Sequence, residues 1–143
     1  MNEAERSLSL IKTGGDKMRV KAHMTGNPVT VTPEESLATA NAKMQSGGFR
    51  QLPVVGDDGR LVGIVTNRDI REHRGKLRIS MVKTAMTKNP VTVTFETTLK
   101  EVARKLLELK VGGLPVVTGA ILVGIITTSD ILRAFIERAG EES

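Results

Sequence analysis

The chain has 143 residues, 39% of them hydrophobic, and a formal charge of +5 at pH 7, which is enough apolar material to bury one ordinary domain or two very small ones. With no cysteine there is no disulfide framework, thiol nucleophile or cysteine-based metal site, and with no Trp, no Tyr and three Phe the stacking surfaces used on single-stranded nucleic acid are missing. The cationic excess favours an anionic partner without choosing among nucleic acid, acidic membrane surface and phosphorylated small molecule.

The opening stretch MNEAERSLSLIKTGGDK lacks the apolar run of a signal peptide, and its TGGDK is a lone glycine turn, too short for a phosphate loop. Residues 1–20 therefore read as an N-terminal extension, either flexible or a short helix. A strand is expected at PVTV (28–31), then a helix with Leu37, Ala40 and Met44 at helical spacing. Thr32 is placed to cap that helix, Pro33 to open it, and Glu35 to complete a Thr-x-x-Glu capping box. Two β-branched runs, LPVV and LVGIV, follow, joined through GDDG, in which Asp58-Gly59 signals a two-residue hairpin. Pro53 then belongs at a strand start or edge, since it cannot donate to a ladder. A second helix, from about Asn67 to His73, closes the unit.

The chain then repeats itself. A shift of 62 residues lays HMTGNPVTVTPEESL (23–37) on AMTKNPVTVTFETTL (85–99) and QLPVV (51–55) on GLPVV (113–117), and a shift of 61 lays VGIVTNRDI (62–70) on VGIITTSDI (123–131). The second copy thus has a strand at 90–93, a helix presenting Leu99, Val102, Ala103 and Leu106, an edge proline at Pro115, and a last helix from about Thr128 to Arg138. The boundaries read as 21–74 for repeat one, 75–82 for a linker, 83–139 for repeat two and 140–143 for a frayed end. Each β-α-β-β-α unit is too small to cover its own apolar face, so the two are expected to pack together as an α/β (α+β) module. The longest apolar run, AILVGII, is too short to cross a bilayer, and a cytoplasmic protein without membrane contact is expected.

In both copies a Thr-x-x-Asp follows the glycine-containing strand: Thr66 and Asp69, Thr127 and Asp130. As a capping box, Thr accepts from an early helix N–H and Asp reaches back to the Thr amide. The same junction can also take a phosphate at the helix N-terminus and ribose hydroxyls on the carboxylate. Gly63 and Gly124 lie inside strands, where glycine costs stability unless another backbone or a ligand approaches closely, or a bulge forms.

The combination of MTxNPVTVT, LPVV and VGI(V/I)TxxDI, in that order and twice, resembles two CBS domains in tandem, the arrangement called a Bateman module. That resemblance implies two three-stranded sheets packed face to face about a pseudo-twofold axis, with two clefts for adenosine-type ligands. It implies ribose and phosphate contacts at Thr66, Asp69, Thr127 and Asp130, with Arg68 and Arg50 as phosphate-binding cations in copy one, where copy two has Ser129 and Gly112. It places adenine against Thr25, Asn27 and Val29 with Val54 as an apolar wall, and against Thr87, Asn89 and Val91 with Val116. From the residues alone, Asn27-Pro28 and Asn89-Pro90 are turn starters and the valines are core. In RDIREHRGKLR (68–78), Arg71, Arg74 and Arg78 read as a solvated face.

His23 and His73 are not equivalent, and no catalytic or metal-ligand spacing recurs, so a non-enzyme without metal or catalytic cofactor is expected. The expected ligand is AMP, ADP or ATP, with S-adenosylmethionine and NAD ranked behind, and the expected partners are a second copy of the chain and a regulated protein. The competing reading is an interaction module with vestigial clefts that binds RNA or protein through its basic face.

Overall fold

The computed structural model describes residues 18–142. Each copy contributes one short strand, a long helix, a hairpin and a closing helix. In copy one these are β1 (Thr25–Gly26), α1 (Leu37–Gly47), β2 (Gln51–Val55), β3 (Leu61–Thr66) and α2 (Asn67–Glu72). After a short helix, α3 (Val82–Ala85), copy two supplies β4 (Thr87–Lys88), α4 (Leu99–Leu109), β5 (Gly113–Thr118), β6 (Ile121–Thr127) and α5 (Thr128–Glu142). The last helix thus continues past residue 139, into the stretch expected to be frayed.

The strands form two three-stranded sheets, ordered β1-β6-β5 and β2-β3-β4, and each sheet crosses the repeat boundary. β1 of copy one pairs with β6 of copy two (Thr25↔Ile125, Gly26↔Gly124), and β4 of copy two pairs with β3 of copy one (Ile64↔Thr87, Gly63↔Lys88). These contacts interchange under the 62- and 61-residue shifts, which is the signature of a pseudo-twofold axis. At the hairpin tips the copies meet again, where the Leu61 N–H donates to Ala120 O at 3.0 Å and the Leu122 N–H to Gly59 O at 3.2 Å. Pro53 and Pro115 sit in β2 and β5, both edge strands, as their missing N–H requires.

The apolar residues divide into two cores, and both are shared. One gathers Val93, Leu99, Val102, Leu106, Leu114, Val116, Ile126 and Ala134 of copy two around Val20. The other gathers Val31, Leu37, Ala40, Met44, Leu52, Val54 and Val65 of copy one around Val82. Val20 and Val82 are fully buried, so residues assigned from sequence to an extension and a linker are core.

Three expectations are corrected. PVTV forms no ladder. Val31 and Val93 make isolated parallel bridges to Val54 and Val116, and the paired strands lie upstream, separated from PVTV by Asn27 (φ 46°) and Asn89 (φ 48°) in the left-handed region, which Asn tolerates better than most residues. The first long helix begins not at Pro33 but after Ser36, whose Oγ accepts from the Thr39 N–H at 3.1 Å. Only half of the Thr32–Glu35 box forms, with Glu35 Oε2 accepting from the Thr32 N–H at 2.7 Å while the Glu35 N–H donates to the Thr32 carbonyl at 3.3 Å, and it closes a separate turn, because the carbonyls of Pro33 and Glu35 are taken by the N–H groups of Lys83 (2.9 Å) and Val82 (2.8 Å). Finally, the first hairpin turns on Asp57 and Asp58 and leaves through Gly59 at φ 81°, so its loop is longer than the two residues expected.

Candidate functional site

The same hydrogen-bonded box stands at the strand-to-helix junction of each copy. Where β3 runs into α2, the Asp69 N–H donates to Thr66 Oγ1 at 3.4 Å, and Asp69 Oδ2 accepts from the Thr66 N–H at 2.8 Å and hydroxyl at 3.2 Å. Thr127 and Asp130 repeat the arrangement at 3.4, 2.8 and 3.0 Å. Capping is therefore realised in full, with one carboxylate oxygen committed to it in each copy.

The second oxygen distinguishes the copies. Oδ1 of the half-buried Asp69 accepts no hydrogen bond among the described residues. Asp130 is only 5% exposed, and its Oδ1 accepts from Arg133 Nη2 at 2.9 Å. Sequence reasoning missed this pair. Its trace was available, for the residue aligned with Arg133 in copy one is Glu72, of opposite charge.

The cations expected for phosphate flank the copy-one junction. Arg50 is exposed, and its carbonyl accepts from the Asn67 N–H at 2.9 Å, tying the chain ahead of β2 to the first turn of α2. Arg68 pairs with Glu72 at 3.1 Å on the helix surface, an exposed contact worth about 0.3–0.5 kcal/mol and readily exchanged. At the matching place in copy two, Gly112 O accepts from the Thr128 N–H (3.0 Å) and hydroxyl (3.3 Å), and Ser129 is exposed.

The residues expected around adenine separate into two groups. Thr25, Asn27 and Val29, like Thr87, Asn89 and Val91, are exposed. Val29 lines a groove of about 470 Å³ with Thr39, Ala42, Lys43, Ser46, Gly47 and Phe49. Phe49 directly precedes Arg50 in the chain, and the next residue, Gln51 at the start of β2, pairs with Thr66. Val54 and Val116, by contrast, are fully buried in the two cores. They cannot present a free apolar wall, because α1, α4 and the exchanged valines already cover them.

Gly63 and Gly124 answer to the exchanged strands. A Cβ on Gly63 would lie 2.7 Å from Met86 Sδ and 2.8 Å from Thr87 O, and one on Gly124 would lie 2.8 Å from Met24 Sδ and from Thr25 O. The register also slips opposite each glycine, between Val54 and Val55 and between Val116 and Val117. Another backbone and a bulge thus account for both glycines without a ligand. At the pseudo-axis, Gln51 lies over Gly113, whose added Cβ would overlap the Gln51 carboxamide, a large-against-small pairing at aligned positions.

Among the described residues, no cluster of three His, Cys, Asp or Glu side chains could hold a metal, and no helix is long and apolar enough to cross a membrane.

Comparison with known proteins agrees with this geometry. The family model of the CBS domain matches twice, at residues 20–76 and 82–137. A CBS domain-containing protein of Dictyostelium discoideum is 33% identical over 135 residues, covering 85% of this chain and 93% of that protein. Inosine-5'-monophosphate dehydrogenase of Mycobacterium tuberculosis is 37% identical over 138 residues, but there the chain spans only 26% of the enzyme's length. Among solved structures, CBSX2 in complex with AMP superposes with a TM-score of 0.76 at 30% identity, over 85% of this chain and 98% of that one. The CBS domain pair of protein MJ0100, in complex with 5'-methylthioadenosine and S-adenosyl-L-methionine, superposes with a TM-score of 0.77 at 30% identity, over 84% and 97%. The chain belongs to the CBS domain family and carries two such domains in tandem.

Proposed function

We propose that this CBS pair is a non-catalytic regulatory sensor of adenosine-containing ligands, of the AMP, ADP and ATP class, which reports occupancy to a partner protein or to its own oligomer. The observation that carries this reading is the open carboxylate oxygen of Asp69 beside Thr66, with the cations Arg50 and Arg68 at the same junction, in a fold whose relatives include complexes with AMP and with S-adenosylmethionine. Asp69 would take ribose hydroxyls, the two arginines phosphate, and the exposed Thr87-to-Val91 segment, which the β3-β4 pairing brings to the strand ending in Thr66, the adenine. Arg68 would leave Glu72 to do so, at small cost.

A melting-temperature panel of AMP, ADP, ATP, NAD and S-adenosylmethionine tests the reading. A ligand at a hundredfold excess over its dissociation constant stabilises by about 2.7 kcal/mol, which corresponds to several degrees for a chain of this size. A panel that leaves the melting temperature unmoved argues for the interaction-module reading.

The oligomer proposed is a homodimer joined through copy two. The groove between α1 and α2 is lined by Asn41, Gln45, Asn67, Ile70, Arg71, Arg74 and Leu77. Their counterparts in copy two include Ala103, Leu107, Leu132 and Phe135, of which Leu107, Leu132 and Phe135 are 79%, 57% and 69% exposed. An apolar helix pair of this kind is self-complementary, whereas two copy-one faces would bring arginines together. Sedimentation should give a dimer that Phe135→Glu converts to a monomer, and a parent that stays monomeric at high concentration refutes the interface.

A further inference from the structure

Resting on the adenosine reading above, the geometry points to Arg133 as an intramolecular latch that keeps the copy-two cleft closed to ribose, so that the module senses through copy one alone. Asp130 has both oxygens engaged: Oδ2 holds the Thr127 amide and hydroxyl, and Oδ1 holds the Arg133 guanidinium at 2.9 Å. The carboxylate is 5% exposed, while the Arg133 side chain above it is 67% exposed. A ribose approaching Asp130 therefore meets the guanidinium before it meets the acid.

Helix geometry explains why the contact forms. Arg133 lies three residues along α5 from Asp130, on the same face and one turn further from the N-terminus. From that position its side chain reaches back along the helix toward the N-terminus and covers the carboxylate. A charge-assisted hydrogen bond to a carboxylate whose other oxygen is already committed is a strong local competitor for two neutral hydroxyls.

In copy one the charges are arranged the other way. Glu72 stands where Arg133 stands, and it draws Arg68 onto the helix surface at 3.1 Å, leaving Asp69 Oδ1 open. Two arginines available to copy one, at positions 50 and 68, are replaced in copy two by Gly112 and Ser129. Copy two has thus both lost its cations and acquired a lid on its acid, two independent changes with the same direction.

The test is calorimetric titration of AMP into the full-length parent, Arg133→Gln and Arg133→Lys. The parent is expected to bind one equivalent per chain. Arg133→Gln is expected to bind a second, with affinity at that site rising at least about tenfold, which corresponds to roughly 1.4 kcal/mol. Arg133→Lys, which keeps the charge over Asp130, is expected to remain at one. Because the Arg133 side chain is mostly exposed, the fold should survive the change, and melting of the ligand-free proteins checks that it does. A parent that already binds two equivalents of similar affinity, or an Arg133→Gln protein that stays at one, overturns the latch and leaves the adenosine reading standing. No AMP binding by any of the three overturns both.

Discussion

A fragment comprising residues 19–80 should show no cooperative unfolding transition, whereas residues 27–88, a piece of the same length, should retain helical structure and a weak transition. The first fragment follows the repeat as the sequence displays it, and it cuts through both cores. It keeps Val20, which belongs among Val102, Leu106 and Ile126 of copy two, and it loses Val82, which fills the core of copy one. It also carries β1 without β6 and β3 without β4. Each exchanged valine is fully buried and stabilises by about 1.5–3 kcal/mol relative to exposure, against a total that for so short a chain is only a few kcal/mol. The second fragment holds Val31, Leu37, Met44, Val65 and Val82 with an unbroken β2-β3-β4 sheet. Circular dichroism melts of both decide the matter: a monomeric 19–80 fragment with native-like stability would show that the exchange of strands is not what holds the repeats together.

Replacing Gly124 by valine should destabilise the whole chain by about 3 kcal/mol, the upper range for overpacking. The new Cβ would stand 2.8 Å from Thr25 O, and because that atom is backbone in a paired strand, relief requires β1 to leave β6. Losing that pairing pulls on Val20 a few residues upstream, so the damage reaches the copy-two core. Gly112→Ala is the control, since a Cβ there meets nothing within 4 Å, and it should change stability by less than about 0.5 kcal/mol. Equal denaturation midpoints for the two variants would mean that β1 is held too loosely to matter.

Local patterns carried most of what could be read in advance. Leu37, Ala40 and Met44 are buried as their spacing requires, the prolines lie on edges, and the Thr66–Asp69 box closes, because each depends on residues within one turn or one strand. The exchange of β1 and β4 was not legible, for two paired residues have no periodicity and Val20 and Val82 stand in segments too short to show one. Its only sequence trace was the pair of strand glycines, whose neighbours turn out to be Met86, Thr87, Met24 and Thr25. The helix start differs from the sequence expectation for a related reason: Glu35 does reach back to the Thr32 amide, but distant amides take the carbonyls that would have continued the turn into a helix. In the site, the acid and its cap were visible. Which acid is covered was not, because Arg133 acts through a side-chain position that the repeat comparison passes over.

The reading of this chain as an adenosine sensor depends most directly on Asp69, and calorimetric titration of AMP into the parent and Asp69→Asn examines that residue. As a cap alone, the aspartate contributes about 1 kcal/mol to stability, and its replacement would leave ligand affinity where it was. As a ribose anchor, its replacement should weaken AMP binding by at least about tenfold, through the loss of charge-assisted hydrogen bonds, while the melting temperature of the ligand-free protein falls only by the small amount due to the cap. That combination is the predicted result; AMP affinity equal in parent and variant, with only the melting temperature lowered, would contradict it.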